Sequence, residues 1–370
     1  METYKVIISG GGTGGHIFPA ISIADKIKER YSDAEILFVG AEGRMEMKRV
    51  PAAGYEIKGL PVTGMPRKFS LSFIKFLLNL RRSLRIAKKI VKDFEPDVVV
   101  GVGGYASAPL IKAAIHLKVP AVLQEQNSYA GKANRWLAKH ADAVCVAYEK
   151  MDNYFPPEKI VLTGNPVRKD IVDCVKINKE RALDFFRINN QKPVILILGG
   201  SLGAKTINDA MLSNISRLSQ VYANFIWQCG SRDYTYISNK TRRDGLPLNV
   251  KLYEFLDSMD MAYASADVIV SRAGAGTISE LCLIGKPTLL VPSPNVAEDH
   301  QRKNALALVS KEAAAMVEDE DARNLLINEM VNLASDESKK TRLGANIKKL
   351  ARPNAVDRIV DIVIEKAKRE

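Results

Sequence analysis

Cysteine, histidine and long apolar runs are scarce in this 370-residue sequence, which has four residues of each of the first two types. The cysteines lie far apart without C-x-x-C spacing, which argues against a disulfide framework and a zinc site. No apolar run approaches the roughly 18 residues of a membrane span, and no charged-then-apolar leader precedes the first strand pattern. We expect a cytosolic protein with reduced thiols, and the hydrophobic share of 46% predicts globular cores.

Positive charge is concentrated in the first half of the chain. Residues 1–170 hold 26 Lys and Arg against 17 Asp and Glu, a balance of +9, whereas the remainder holds 28 against 25, or +3. Nine basic residues fall within residues 67–92, and no acidic residue occurs there before Asp93. The first half is therefore expected to meet an anionic partner.

The basic segment has the periodicity of an amphipathic helix, with one face expected to pack on a sheet and the other expected to be solvated. Ile74 and Leu78 fall among Arg81, Arg82 and Arg85 on the face that should be solvated. This pattern fits a charged surface helix with two chance apolar residues, or a membrane-surface patch that contacts anionic lipid. Nucleic acid is a third alternative, although no aromatic stacking residues interleave the charges. The face expected to dock on a sheet comprises Phe73, Leu77, Leu80, Leu84, Ala87 and Val91.

Short apolar runs alternate with helical patterns in two blocks. This alternation predicts an α/β fold of two doubly wound, Rossmann-like domains that face a cleft. The predicted divisions are an N-terminal domain of residues 1–165, a C-terminal domain of residues 166–350, and a final helix at 351–370 that crosses back to the first domain. The strand candidates are residues 5–9, 36–39, 98–101, 121–123 and 143–146, then 194–198, 225–228, 250–253, 268–271 and 288–291.

A glycine-rich turn follows the first strand candidate of each block, at residues 10–16 and 199–204. Backbone N–H groups in such turns, with the following helix N-terminus, attract an anionic diphosphate. A third helix start of this kind spans residues 271–280, where Glu280 is placed to accept bonds from ribose hydroxyls. The first turn also matches the G-x-G-x-x-G dinucleotide pattern, but the nearest acid after the second strand, Glu42, is off-register, so we discount NAD.

Seven ordered motifs span nearly the whole chain, at residues 11–20, 103–105, 124–127, 164–168, 199–204, 271–275 and 300–305. Together they resemble the MurG family of bacterial glycosyltransferases. The resemblance implies the two-domain glycosyltransferase B fold and inverting transfer of N-acetylglucosamine from UDP-GlcNAc to lipid I, the undecaprenyl-diphosphate-linked muramyl-pentapeptide, which forms lipid II in peptidoglycan synthesis. It also implies a peripheral location on the cytoplasmic side of the bacterial cell membrane, and partner proteins of cell-wall synthesis.

The resemblance further implies where the donor and the acceptor bind. Arg168 and Ser201 are expected to meet the diphosphate, the backbone near Leu256 the uracil, and Gln301 the sugar hydroxyls. Tyr105 is expected to contact the acceptor. The phosphates and ribose are assigned to Ala275, Gly276, Thr277, Ile278, Ser279 and Glu280, and the first domain adds Thr13, Gly14, Gly15 and Asn127.

An inverting transferase needs one base near the acceptor hydroxyl, and His16 is the candidate by residue type and position. A structural hydrogen-bonding role is the alternative for His16, and Glu125 is the substitute base. We predict metal-independent chemistry without a cofactor, in which helix N-termini and Arg168 neutralise the leaving UDP. Alternative functions are a related lipid glycosyltransferase with a diacylglycerol-type acceptor, and a non-catalytic protein that binds a nucleotide sugar or nucleic acid.

Overall fold

The computed structural model describes residues 3–64, 71–188, 191–200, 202–296 and 299–367, with no side-chain description for residues 71 and 72. It divides into two compact units. Unit 1 comprises Met1–Arg168 and Pro353–Glu370, and unit 2 comprises Lys169–Arg352. Each unit is a parallel sheet with helices, so the predicted α/β class of two doubly wound domains is confirmed.

Unit 1 contains a seven-stranded parallel sheet of order β3-β2-β1-β4-β5-β6-β7. Its central strands are apolar on both faces, as in other parallel sheets covered by helices. The strands are β1 (Lys5–Gly10), β2 (Glu35–Ala41), β3 (Glu56–Leu60), β4 (Val98–Gly103), β5 (Ala121–Glu125), β6 (Ala143–Val146) and β7 (Ile160–Leu162). The helices are α1 (Gly14–Arg30), α2 (Glu46–Ala52), α3 (Leu71–Phe94), α4 (Ser107–His116), α5 (Lys132–Leu137) and the C-terminal α16 (Ala355–Ala367).

Unit 2 contains a six-stranded parallel sheet of order β10-β9-β8-β11-β12-β13. Its strands are β8 (Val194–Leu198), β9 (Asn224–Gln228), β10 (Val250–Tyr253), β11 (Val268–Ser271), β12 (Thr288–Leu290) and β13 (Ala315–Met316). Its helices are α6 (Lys169–Asp173), α7 (Lys179–Phe186), α8 (Lys205–Ser213), α9 (Ile215–Leu218), α10 (Tyr234–Asp244), α11 (Met259–Ser265), α12 (Ala275–Ile284), α13 (His300–Val309), α14 (Ala322–Ser335) and α15 (Glu337–Lys349).

The strand order reverses between β1 and β4 in unit 1 and between β8 and β11 in unit 2. In open α/β sheets, ligands bind beyond the carboxyl ends of the strands at such switch points. The turns that follow β1 and β4, and those that follow β8 and β11, are the glycine-rich motifs of the sequence. The fold therefore gathers two motifs at the switch point of each unit.

The C-terminal helix α16 belongs to unit 1 although the whole of unit 2 precedes it in the chain. It packs against α1, β4 and β5 through an apolar face that includes the fully buried Ile359, Val360 and Val363. Arg30 of α1 bonds the carboxylates of Asp357 and Asp361, each at 2.5 Å. Most of the attachment comes from apolar burial, since half-exposed ion pairs each contribute at most about 1 kcal/mol.

Helix α3 carries the basic segment, of which Arg67 and Lys68 lie outside the described residues. Ile74 and Leu78 are 56% and 59% exposed, as predicted for the solvated face. The prediction that Leu77 docks on the sheet is wrong, because Leu77 is 42% exposed and, among residues 73–94 of α3, full burial begins only at Ser83. The described helices include none with the length and apolar content required to cross a membrane.

Candidate functional site

The turn after β1 in unit 1 is built around a buried carboxylate. Glu46, 1% exposed, accepts hydrogen bonds from Gly12 N at 2.9 Å and Ala41 N at 3.0 Å. Gly11 N donates to Gly103 O at 3.2 Å, which joins this turn to the turn after β4. The Gly12 N–H group is therefore already bonded to a carboxylate within unit 1. Sequence reasoning missed Glu46, because an acid at a helix start gives no sign of burial.

His16 lies half-buried in the first turn of α1 with its Nδ1 held by the preceding loop. Nδ1 is 3.0 Å from Gly11 O and 3.3 Å from Thr13 Oγ1. A carbonyl oxygen only accepts, so the bond to Gly11 O places the proton on Nδ1 and makes Nε2 the basic nitrogen. A Cβ atom on Gly103 would lie 2.6 Å from His16 Cδ2, so the ring packs against that glycine. This tautomer suits a general base.

Glu125, the substitute base, is 2% exposed and accepts four hydrogen bonds. Its Oε1 accepts from the Asn127 backbone and side-chain amides at 3.1 and 3.3 Å, and its Oε2 accepts from Gly131 N and Asn134 Nδ2 at 3.2 and 2.9 Å. Four donors hold the carboxylate and shape the loop that follows β5. The loop in turn fixes Asn127 in place.

Buried amide side chains link the ends of β4 and β5 to the segment before Arg168. Gln124 Nε2 donates to Asn165 Oδ1 at 2.8 Å, and Asn165 Nδ2 donates to Gln126 O at 3.0 Å. Gln126 Nε2 donates to Val102 O at 2.5 Å. Arg168 is exposed and follows this anchor by three residues. The network therefore fixes the backbone at Asn165, three residues before Arg168.

Tyr105 extends from a turn that leaves no room for side chains. Gly103 and Gly104 have φ values of +113° and +94°, and a Cβ on Gly104 would lie 2.4 Å from Gly11 O. The Tyr105 ring is 46% exposed, with the Arg44 guanidinium carbon 5.7 Å from its centroid. Arg44, which sequence reasoning missed, adds a cation beside the side chain predicted to meet the acceptor.

The turn after β8 in unit 2 packs directly on the turn after β9. Gly203 and Gly230 have φ values of +89° and +83°. A Cβ on Gly203 would lie 2.3 Å from Cys229 O, and one on Gly230 would lie 2.1 Å from Gly203 N. Ser201 lies outside the described residues, so its predicted contact with the diphosphate stays a prediction. Glycine at both positions lets the two backbones touch at the N-terminal side of α8.

Helix α12 begins directly after β11 with small residues. Ala275, Gly276 and Thr277 form its half-buried first turn, and space is open where a Cβ on Gly276 would stand. Ile278 is only 2% exposed, so any ligand contact there falls to its backbone. Ser279 Oγ donates to Ala275 O at 3.0 Å. The first N–H groups of a helix have no partners within the helix, and they attract anions.

Three residues predicted to bind UDP-GlcNAc are fixed by hydrogen bonds or by burial within unit 2. Glu280 Oε2 accepts from the hydroxyl of Tyr263 at 2.8 Å. Gln301 Oε1 accepts from Ser293 N at 2.9 Å, which leaves its amide nitrogen as the donor. Leu256 is buried, whereas its neighbour Phe255 is 50% exposed. Leu256 therefore anchors the segment whose backbone is predicted to meet uracil.

Asp319 joins two helix starts of unit 2. Its Oδ2 accepts from Thr206 Oγ1 at 2.9 Å, and its Oδ1 accepts from the Arg272 guanidinium. Asp319 and Asp321 have the D-x-D spacing of a metal-binding motif. The Asp319 carboxylate, however, accepts hydrogen bonds from Thr206 and Arg272. Across the described ranges, no group of three or more His, Cys, Asp or Glu side chains has an arrangement that would hold a metal ion.

Lys286 is expected to make the stability of unit 2 depend on pH. Burial lowers the pKa of its ammonium from 10.5 to about 8. Between these values the unfolded chain keeps the proton that the folded chain releases, so the free energy of unfolding should rise with pH by up to about 1.4 kcal/mol per unit. Urea unfolding at pH 7.5 and 9.5 measures how much the free energy of unfolding changes with pH, for the natural chain and for the Lys286→Met variant. Equal pH dependence in the two proteins would contradict it.

Two known family domains match most of the chain. Residues 6–146 match the glycosyltransferase family 28 N-terminal domain, and residues 194–359 match the glycosyltransferase family 28 C-terminal domain. These matches include strands β1 to β6 of unit 1 from Val6 onward, all the strands of unit 2, and the glycine-rich turns of both units, whereas β7 lies between the two matched ranges.

Individual relatives agree over nearly the full length. The chain is 52% identical to the UDP-N-acetylglucosamine–N-acetylmuramyl-(pentapeptide) pyrophosphoryl-undecaprenol N-acetylglucosamine transferase of Parabacteroides distasonis over 99% of each chain. It is also 52% identical to the protein of that name from Cytophaga hutchinsonii, over 98% of this chain and 97% of the relative. The crystal structure of Acinetobacter baumannii MurG is similar with a TM-score of 0.77 and 25% identity, over 98% and 99% of the two chains. The chain therefore belongs to glycosyltransferase family 28 and, within it, to the MurG transferases with the glycosyltransferase B fold.

Proposed function

We propose that the chain transfers N-acetylglucosamine from UDP-GlcNAc to the muramyl sugar of lipid I with inversion, which forms lipid II for peptidoglycan. The observation that carries the proposal is 52% identity over 99% of the chain to a transferase named for this reaction. The site residues described in each unit supply the chemical groups that such a reaction needs.

Unit 2 binds the donor in this proposal. The N-terminus of α12 faces the phosphates with the backbone of Ala275 to Ser279, and Glu280 accepts from the ribose hydroxyls. Gln301 contacts the sugar, the backbone near Leu256 contacts uracil, and Ser201 adds a hydrogen-bond donor to the diphosphate. Arg168, the last residue of the first segment of unit 1, adds a second donor. Helix N-termini and a guanidinium stabilise the negative charge that develops on UDP. The reaction then uses neither a metal ion nor an organic cofactor.

Unit 1 binds and activates the acceptor. Its hydroxyl oxygen attacks the anomeric carbon as the bond from that carbon to the UDP oxygen breaks, and UDP leaves with the electron pair. Nε2 of His16 takes the hydroxyl proton, since Nδ1 already carries one toward Gly11 O. Thr13, Gly14, Gly15 and Asn127 line this side, and Tyr105 contacts the acceptor.

Acceptor choice tests the proposed function. The purified chain is incubated with UDP-GlcNAc and either a short-chain lipid I, a diacylglycerol, or no acceptor, and UDP release is followed. We expect release to depend on lipid I. Release that depends on diacylglycerol would support a related lipid glycosyltransferase instead, and tight UDP-GlcNAc binding without release would support a non-catalytic binding protein.

The exposed face of α3 supports peripheral attachment to the cytoplasmic side of the bacterial membrane. Ile74 and Leu78 are more than half exposed, and Arg81, Arg82 and Arg85 are exposed on the same helix. Apolar side chains enter the headgroup boundary while each nearby cation gains about 1 kcal/mol from anionic lipid. An anionic membrane surface is therefore a proposed partner of α3.

Replacing Ile74 and Leu78 together with aspartate should release the protein from anionic vesicles. Two apolar contacts with the membrane are lost and two negative charges are added near the lipid. The affinity for anionic vesicles should therefore fall by at least about tenfold. Vesicle sedimentation measures the effect. The matched control is Tyr236→Asp with Leu248→Asp, since these side chains of unit 2 are 64% and 98% exposed. Equal losses in the two double variants would show a general charge effect and contradict a specific patch.

A further inference from the structure

Helices α11 and α12 are joined by a hydrogen bond from a core tyrosine to a predicted ligand-binding carboxylate. Tyr263 is 1% exposed, and its hydroxyl donates to Glu280 Oε2 at 2.8 Å. A buried phenolic hydroxyl needs a partner, and here that partner is a half-buried residue in the second turn of α12, the helix whose N-terminus is predicted to bind the donor. The contact therefore links the core of unit 2 to its ligand-binding edge.

A single hydrogen bond orients a carboxylate without filling its capacity to accept further hydrogen bonds. An ionised carboxylate has about four acceptor sites on its two oxygens, and the tyrosine hydroxyl occupies one of them. A carboxylate can therefore accept from a tyrosine hydroxyl and from two neighbouring hydroxyls of a ribose at the same time. A glutamate side chain loses considerable rotational freedom when a ligand fixes it, so holding it in advance improves affinity.

The backbone behind the tyrosine is also fixed. Lys286 Nζ donates to the carbonyl oxygens of Tyr263, Ala264 and Ala266 at 2.7, 2.8 and 2.5 Å. These oxygens lie at the C-terminal end of α11, and Lys286 follows α12 by two residues. The two helices are thus tied at the Tyr263 backbone as well as at its hydroxyl.

We propose that Tyr263 is a positioning residue for the donor, whose hydroxyl holds the Glu280 carboxylate in the orientation that accepts hydrogen bonds from the ribose. This inference rests on the proposed function, since the ribose is that of UDP-GlcNAc. It adds a residue that contacts no substrate and acts through Glu280.

Binding of UDP and of 2′,3′-dideoxy-UDP, which lacks both ribose hydroxyls, tests the proposal by calorimetry on the full chain. Tyr263→Phe should weaken UDP binding by about tenfold and change binding of the dideoxy compound by less than about twofold. In turnover, the KM for UDP-GlcNAc should rise while kcat stays nearly constant. Tyr222→Phe is the matched control, because it removes a 2.8 Å bond to Gln191 O elsewhere in unit 2.

Glu280→Gln separates failure of this inference from failure of the proposed function. If Glu280→Gln abolishes the preference for UDP over the dideoxy compound and Tyr263→Phe leaves it intact, the tyrosine has no positioning role. If Tyr263→Phe weakens both ligands equally, its role is structural and the inference is overturned. If Glu280→Gln itself leaves the preference unchanged, the ribose assignment fails, and the inference fails with it.

Discussion

Replacing His16 with alanine is expected to lower kcat by roughly 10²–10⁴-fold, the usual contribution of a general base, while UDP-GlcNAc binds with unchanged affinity. The expectation follows from the Nδ1 contact with Gly11 O at 3.0 Å, which leaves Nε2 as the proton acceptor. Donor affinity should persist because the donor residues described above lie largely in unit 2. Steady-state turnover with lipid I, together with calorimetric binding of UDP-GlcNAc, measures both quantities.

Two further variants distinguish a base from a structural histidine. His16→Asn can keep a donor near Gly11 O but offers no basic nitrogen, so it should be about as inactive as His16→Ala. His140→Ala removes an exposed histidine of unit 1 and should leave kcat unchanged. Substantial activity in His16→Asn would assign His16 a structural role, and Glu125 would then become the base to test.

Replacing Gly230 with alanine is expected to weaken UDP binding by at least about 100-fold, or to unfold unit 2. The new Cβ would lie 2.1 Å from Gly203 N, and the backbone φ of +83° disfavours any side chain. The turn at residues 199–204 would have to move, and with it the N-terminal side of α8. Calorimetric titration with UDP and thermal unfolding report the two effects.

The matched control for this change is Gly245→Ala. Gly245 has a similar φ of +92° but nothing within 4 Å of the added Cβ, so it carries the backbone strain without the collision. It should cost about 1 kcal/mol of stability and leave UDP binding intact. If Gly230→Ala bound UDP as well as Gly245→Ala does, the turn after β8 would have no part in the donor site.

The sequence predicted the central strands and the glycine turns because their signals are local. An apolar run such as residues 194–198 can be buried on both faces, and glycines after it indicate a turn whatever surrounds them. The strands β3, β7 and β13 were not predicted, because their own sequences carry only a weak strand signal. Residues 56–60 mix charged and apolar side chains, and β13 has only two residues, so neighbouring strands rather than their own pattern make them strands.

The site was less predictable where a role depends on contacts distant in sequence. Glu46 and Tyr263 act through partners 34 and 17 residues away, and nothing in their immediate neighbours indicates burial. Leu77 was assigned to the buried face of α3 from periodicity alone, which gives direction around a helix but not how far along it the packing extends. The four bonds to Glu125 are likewise visible only in the folded chain.

Transfer of a sugar to lipid I without a metal ion can be measured by following a label from the donor to the lipid. The full chain is incubated with UDP-GlcNAc labelled in the sugar and a short-chain lipid I in excess EDTA, and labelled lipid and released UDP are counted together. We predict one labelled lipid for each UDP released. UDP release without labelled lipid would contradict transfer to lipid I, and transfer that stops when EDTA is added would contradict a metal-independent reaction.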